Sequence, residues 1–235
     1  MAPSFPEHDH AIAAMFDHIA PRYDRLNRIL SFGADRSWRR RAIDAARLGP
    51  GQRALDVGAG TGDLALGLLR ASDPSSTVLA VDLSPVMLAL ARRRLAALAG
   101  RYRAAVANAE SLPLPDGCVD RVVSAFTLRN VGDLPRALRE MRRVLRPGGR
   151  LVLLELSHPP GAVFGAIYRW YFGTIAPRLA AALGGDVDAY RYLPRSLRPF
   201  PDADRLAALI REAGFAEVHY ERLTFGITAI HVATR

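Results

Sequence analysis

Arg53-Ala54-Leu55-Asp56-Val57-Gly58-Ala59-Gly60-Thr61-Gly62-Asp63 begins as a short apolar run and breaks into a glycine loop with an acid on either side. The run reads as a strand over 53–57, and the loop as its turn into a helix over 63–70. The next apolar run, 77–81, reads as a second strand that ends on Asp82. In an open α/β sheet a loop at the carboxyl end of a strand lies on the ligand crevice. Its glycines let the backbone approach a ligand, and the free N–H groups at the helix start favour an anionic group. Asp82 stands about 20 residues beyond Gly62, the spacing at which a carboxylate accepts both hydroxyls of a ribose. The glycines run G-x-G-x-G, and carboxylates at Asp56 and Asp63 repel a pyrophosphate while suiting an ammonium or sulfonium group. S-adenosylmethionine fits that description, with its ribose, adenine, cationic sulfur and amino-acid end. Asn108, at the end of the third strand, offers a donor and an acceptor to an adenine edge.

The same alternation extends outward. Strands are expected at 102–107, 119–124 and 150–156, with helices at 85–98 and 134–145, so right-handed crossovers give a parallel sheet covered on both faces. Pro147-Gly148-Gly149 reads as a helix stop rather than a ligand loop. A helix at 202–213 precedes two strands, 215–223 and 225–233, which turn at Gly226 and pair antiparallel. Ahead of the sheet, Phe16, Ile19, Tyr23, Leu26 and Leu30 form one helical stripe despite Pro21. A turn at Ser31-Phe32-Gly33 leads to a second helix through Trp38 and Ile43. The expected fold is therefore α/β: a doubly wound, mostly parallel, seven-stranded Rossmann-like sheet ending in an antiparallel hairpin, with N-terminal helices and a helical insertion. It is expected as a single domain, with a helical cap over 1–50, a cofactor-binding half over 51–158, a helical substrate lid over 159–200, and a helix and hairpin over 201–235. Within that insertion, Phe164, Ile167, Tyr168, Trp170, Tyr171, Phe172 and Ile175 are apolar or aromatic, but Arg169, Pro177 and Arg178 interrupt the run. A membrane span needs about 20 residues with few charges, so the segment reads as helices lining a hydrophobic site.

The 235 residues are 50% hydrophobic and 23% charged, which excludes a disordered or fibrous chain. The net charge is +9, and all 32 basic side chains are arginine. Nucleic acid is not the expected partner, because the arginines are spread over many helices (Arg39–Arg41, Arg92–Arg94, Arg142, Arg143) instead of clustering among aromatics. The single cysteine, Cys118, forms neither an internal disulfide nor a cysteine-built metal site. No secretory signal is visible over 1–10, and a cytoplasmic protein is expected.

Leu55–Asp63, Val81-Asp82-Leu83-Ser84-Pro85-Val86-Met87, Asn108-Ala109-Glu110-Ser111-Leu112-Pro113 and Val144-Leu145-Arg146-Pro147-Gly148-Gly149 resemble the class I S-adenosylmethionine-dependent methyltransferases. Narrower likenesses lie outside the cofactor loop. Phe126-Thr127-Leu128-Arg129-Asn130-Val131 is similar to the F-x-L-R-N-V segment of the ubiquinone/menaquinone biosynthesis C-methyltransferases. So are Ile19-Ala20-Pro21-Arg22-Tyr23-Asp24-Arg25-Leu26-Asn27, Tyr190-Arg191-Tyr192-Leu193-Pro194-Arg195-Ser196-Leu197 and Gly226-Ile227-Thr228-Ala229-Ile230-His231. The likeness covers nearly the whole chain. Thr127 stands where that family usually has glycine, and Ala125 where some members have serine, which leaves only a backbone contact there.

The resemblance implies cofactor binding by Asp56, Gly58, Gly60, Thr61, Asp82, Leu83, Met87, Asn108, Ala109 and Ala125. It also implies methylation of a ring carbon of a polyprenylated quinol, leaving S-adenosylhomocysteine and requiring no metal. A ring carbon is a poor nucleophile until a neighbouring hydroxyl ionises, and phenols titrate near pH ~10. Arg129 then serves as the oxyanion's partner and is no base by itself. Asn130 orients the hydroxyl or a water, and Tyr23, Asp24, Asp133 and His158 are candidate proton acceptors. The blander alternatives are an Arg129 that caps a loop or pairs with an acid, a His158 that belongs to a turn, and Tyr168, Trp170 and Tyr171 as ordinary packing. Expected partners are the quinol and, peripherally, the inner face of the membrane, with a homodimer left open. The competing functions are methylation of another small apolar molecule and a nucleic-acid-binding protein that keeps the fold.

Overall fold

The computed structural model describes residues 7–161, 165, 170–175, 178, 192 and 194–235. Five strands run parallel: β1 (Arg53–Val57), β2 (Thr77–Asp82), β3 (Tyr102–Val106), β4 (Val119–Ala125) and β5 (Leu145–Leu156). Then β6 (Ala216–Leu223) and β7 (Thr228–Thr234) pair antiparallel, and β7 inserts against β5, so the sheet order is β3-β2-β1-β4-β5-β7-β6. The order reverses between β1 and β4, and that switch point opens the crevice at the carboxyl ends of the strands.

The helices are α1 (Glu7–Leu30), α2 (Ala34–Ala46), α3 (Asp63–Ala71), α4 (Pro85–Arg94), α5 (Leu134–Val144) and α6 (Ala203–Glu212). Strands buried on both faces read as near-continuous apolar runs, and successive residues serve opposite cores. Leu55, Val57, Leu151 and Leu153 pack with Leu138 and Met141 of α5 and with Leu206 and Ile210 of α6. Ala54, Val152 and Leu154 pack on the other face with Trp38 of α2, Leu64 and Leu68 of α3 and Leu88 of α4. Helix starts are fixed by side-chain caps: Ser84 accepts from Met87 N ahead of Pro85, Asp133 from Arg136 N, and Asp202 from Arg205 N.

Several boundaries differ from the sequence expectation. Helix α4 stops at Arg94, and one turn of 3-10 helix follows over Ala96–Leu98. β5 begins at Leu145 rather than at 150. Leu145 already pairs with Val119, and the Pro147-Gly148-Gly149 stretch, with Gly148 at φ 72, enters the sheet through a register shift. β7 begins at Thr228 rather than at 225, because Phe225 itself sits at φ 56 within a short 3-10 turn, Thr224–Gly226. Helix α1 passes through Pro21 unbroken. Of the expected 159–200 lid, Phe164, Ile167, Tyr168, Arg169, Pro177, Tyr190, Arg191 and Leu193 lie outside the described residues. Within them, Tyr171–Ile175 forms one π-helical turn.

Candidate active site

Three glycines of the β1–α3 loop adopt positive φ, but their surroundings differ. A side chain at Gly58 would place its Cβ 2.1 Å from Thr127 Oγ1, and one at Gly62 would sit 2.8 Å from Leu95 Cδ1. At Gly60 nothing lies within 4 Å. Two of the glycines are therefore demanded by packing, and Gly60 opens onto free space. Gly60 N donates to Asp82 Oδ2 at 2.8 Å, while Asp82 Oδ1 accepts from Ser84 N at 2.9 Å. Burial pushes the Asp82 carboxyl up, against these backbone donors. Each carboxylate oxygen retains further acceptor capacity.

Above the loop lies a cavity lined by Gly58, Gly60, Asp82, Leu83, Met87, Asn108, Ala109 and Ala125, eight of the ten residues expected there. The other two stand apart. Asp56 is buried beneath the loop, 1% exposed, and neither oxygen has a hydrogen-bond partner among the described residues. Its burial outweighs the nearby Arg39 guanidinium and pushes its pKa up to about 7. Thr61 Oγ1 donates to Asp24 Oδ1 at 2.7 Å, outside the cavity. Helix α1 lies across the opening and contributes Asp9, Ile12, Phe16 and Tyr23 to the lining.

A second, apolar cavity of about 470 Å³ adjoins the first. Its lining includes Phe32, Trp38, Leu156, Trp170, Tyr171 and Ile227, and Arg129 is the cation that faces it with Arg39. Tyr23 and Phe126 line both cavities, so they form the common wall. The Arg39 guanidinium stacks 5.2 Å from the Phe126 ring centroid, and Trp38 packs 6.2 Å from the same ring.

The expected catalytic residues separate. Arg129 lines the apolar cavity, donates Nη1–H to Phe126 O, and keeps Nε buried without a hydrogen-bond partner among the described residues. Asn130 lines the first cavity, and its buried Oδ1 is likewise unpartnered there. Tyr23 stands between the two. Asp24 bonds Thr61 and pairs with Arg94 at 3.2 Å, while Arg94 also binds Asp63, so α1, α3 and α4 are tied together at the loop. Asp133 caps α5, and His158 Nε2 lies 2.9 Å from Phe200 O; neither lines either cavity.

Two residues were not foreseen. Glu155 of β5 is 1% exposed; its Oε1 accepts from Thr127 N and Leu128 N, both at 2.7 Å, and its Oε2 lies 4.0 Å from Arg129 Nη1. Burial pushes its pKa up to about 7, against the pull of Arg129. The signal was a lone acid inside the run Leu151–Leu156. Asp9 accepts from Asn108 Nδ2, and nothing local in the sequence marks it.

The residues present fit S-adenosylmethionine: open space at Gly60, an acid with spare lone pairs at Asp82, and an orphaned amide oxygen at Asn130. With its switch-point crevice and terminal hairpin, the fold is that of a class I S-adenosylmethionine-dependent methyltransferase. A methyltransferase of this kind from Thermotoga maritima superposes with a TM-score of 0.68 at 22% identity, over 94% of this chain and 98% of that one. More narrowly, the chain belongs to the ubiE/COQ5 methyltransferase family, whose profile matches residues 6–235. It is 51% identical to the demethylmenaquinone methyltransferase of Thermus thermophilus, over 94% of this chain and 100% of the relative. It is 44% identical to the ubiquinone/menaquinone biosynthesis C-methyltransferase UbiE of Geobacter sulfurreducens, over 97% and 90% respectively. The chain is an S-adenosylmethionine-dependent C-methyltransferase.

Proposed function

We propose that the chain methylates a ring carbon of a polyprenylated quinol in menaquinone or ubiquinone synthesis. The observation that carries this reading is the pair of adjoining cavities, one at the glycine loop where Asp82, Asn108 and Asn130 are set among apolar walls and one larger and apolar, that share Tyr23 and Phe126 as a wall. The apolar cavity suits a ring bearing an isoprenoid tail. When bound in the first cavity, S-adenosylmethionine supplies an electrophilic methyl group on a sulfonium. In this reading Asp82 holds the ribose hydroxyls, Asn108 and Ala109 the adenine edge, and Gly60 lets the loop backbone approach the donor; Gly58, Leu83, Met87 and Ala125 complete the walls.

Arg129 faces the apolar side, where its fixed charge lowers the pKa of a phenol beside it and stabilises the oxyanion that activates the ring. Tyr23, at the common wall, orients the ring, and Asn130 presents its free amide oxygen on the donor side. Asp24 holds the loop through Thr61 and Arg94, a positioning role. Closure by α1 excludes water, which strengthens the electrostatic attraction between Arg129 and the phenolate. We place the protein in the cytoplasm, in peripheral contact with the membrane that dissolves its substrate; no helix among the described residues is long and apolar enough to cross a bilayer. The deciding experiment is transfer of a labelled methyl group to detergent-dispersed demethylmenaquinol. Absence of transfer to it and to a prenylated benzoquinol alike, with donor binding intact, refutes the substrate assignment.

A further inference from the structure

Three large side chains that folding normally hides are held out in solvent: Phe32 is 81% exposed, Phe225 79% and Trp170 60%. Phe32 and Phe225 occupy turn tips with φ of 51° and 56°, a backbone region that strains a bulky residue and ordinarily goes to glycine or asparagine. Strain of this kind persists where it serves function. Neither ring repays it by burial within the fold.

All three cluster at one place. Phe32 and Trp170 line the apolar cavity, and so do Thr224 and Ile227 on either side of the Phe225 turn. Phe32 packs 5.9 Å from Tyr171, whose hydroxyl donates to Leu30 O at 3.1 Å. Trp38 Nε1 donates to Thr224 Oγ1 at 2.8 Å, which fixes the second turn against α2. The Phe32 and Phe225 turns are thus tied to elements that line the cavity. Beside it on α2 stand Arg36 and Arg40, one turn apart and exposed, with no ion pair among the described residues. Asp35, the acid between them and the rim, is buried and bonded to Ser31 Oγ at 3.0 Å, so it does not cancel their charge at the surface.

We propose that Phe32, Trp170 and Phe225 are the surface by which the protein docks on an anionic lipid bilayer, with the mouth of the apolar cavity turned towards the acyl chains. The inference rests on the quinol reading above and says how such a substrate reaches the site: along the hydrocarbon, without crossing water. Tryptophan favours the interfacial zone of a bilayer, and phenylalanine rings bury at the boundary between headgroups and acyl chains. Exposed arginines supply the attraction to anionic headgroups that a few rings alone do not. A second protein as occupant would need a complementary acidic face, whereas a bilayer requires only apolar rings backed by cations.

The chain carries its own reporter, since Trp38 is buried and Trp170, the other tryptophan, is on the rim. Vesicles of phosphatidylcholine with phosphatidylglycerol should shift Trp170 emission to the blue, and acyl-brominated lipids should quench it. Phe225→Ser should lower the vesicle-bound fraction at least about tenfold, the effect of withdrawing one phenyl ring from hydrocarbon, with an unchanged melting temperature. Arg36→Glu with Arg40→Glu should abolish the preference for phosphatidylglycerol. The proposal is overturned if bare vesicles leave Trp170 emission unchanged, if vesicles bind only when loaded with prenyl quinol, or if both variants bind like the parent. Methylation of detergent-dispersed quinol without vesicle binding removes the docking surface and leaves the reaction standing. Docking without methylation does the reverse.

Discussion

Asn108 Nδ2 donates to Asp9 Oδ2 across 2.5 Å, while Asn108 Oδ1 accepts from Glu110 N at 2.7 Å. The amide placed to read an adenine edge is therefore already engaged, and its partner belongs to the first turns of α1. His8 Nε2, on the same turn, lies 3.1 Å from Asn130 O. Donor binding at Asn108 has to displace Asp9. Asp9→Ala should accordingly tighten donor binding by about fivefold to tenfold, the worth of one hydrogen bond no longer competed away. Calorimetry on the variant decides this; equal or weaker binding means that the Asp9–Asn108 bond does not compete with the donor.

Asp82→Ala removes the acceptor for Gly60 N and Ser84 N together with the proposed ribose contacts. Each charged hydrogen bond contributes about 1.5–3 kcal/mol, so donor affinity should fall by two orders of magnitude or more, by about the same reckoning. Asp82→Asn, which keeps one acceptor oxygen, should lie between. Unchanged affinity in the alanine variant would remove the ribose assignment.

Arg129→Leu should leave donor affinity nearly intact and slow turnover by about 100-fold, comparable to losing one oxyanion donor. The deficit should narrow at high pH, where hydroxide supplies the phenolate. Arg129→Lys keeps the charge without the planar fork and should be intermediate. Steady-state rates from pH 6 to about 10 test this, and a deficit independent of pH assigns Arg129 to holding the loop.

Glu155 predicts a pH dependence of stability. Its folded pKa of about 7 lies above the ordinary 4.5, so the native state binds more protons between those values. Stability from this group is present at acidic pH, falls as pH rises through that window, and is flat above it; the fall is at most roughly 1.4 kcal/mol for each pH unit crossed. Glu155→Gln keeps an acceptor for the Thr127 and Leu128 N–H groups but carries no proton to lose. Its melting temperature relative to the parent should therefore improve from pH 5 to about 8. A constant gap across that range shows that Glu155 stays ionised beside Arg129.

Gly58 and Thr127 should prove coupled. Gly58→Ala drives a methyl group into Thr127, at 2.1 Å from Oγ1, and should cost several kcal/mol, roughly the upper part of the usual range for a core overpacking. Thr127→Gly clears the space, and the double variant should recover most of that loss, leaving only the backbone strain of alanine at φ 71. Additive melting shifts in the double-mutant cycle would show the two sites to be independent.

The inner parallel strands β1, β4 and the end of β5 were legible because they are buried on both faces and so stand out as apolar runs, whereas β3, at the sheet edge and half exposed, was legible from its place in the strand-helix alternation. The loop-plus-acid spacing placed Gly60 and Asp82 on one cavity for the same local reason. Asp56 and Thr61 belong to the same motif, yet neither side chain lines the cavity: the alternation of the strand turns Asp56 beneath the loop, and Thr61 is turned to Asp24 of α1. The start of β5 was hidden by Pro147 and Gly148, which enter the sheet through an irregularity that looks like a terminator. Asp9 was beyond reach because its role depends on where α1 lies over the sheet, a tertiary fact with no local signature. Glu155 was visible as an acid in an apolar strand, but its partner, Arg129, lies on a separate segment.

The position of β7 has a consequence for how the chain is made. It is the latest of the seven strands to be synthesised, yet it fills the place between β5 and β6. Until it docks, β6 has no neighbour and β5 presents Leu151–Leu154 along an open edge, the kind of surface that recruits strands from other molecules. Arg235 then closes the seam, its N–H donating to Gly149 O and its carbonyl accepting from Gly148 N, each at 2.9 Å. A nascent chain emerging from the ribosome thus carries the glycine loop and Asp82 well before it has a complete sheet, and the open edge of β5 is covered only with the arrival of seven residues.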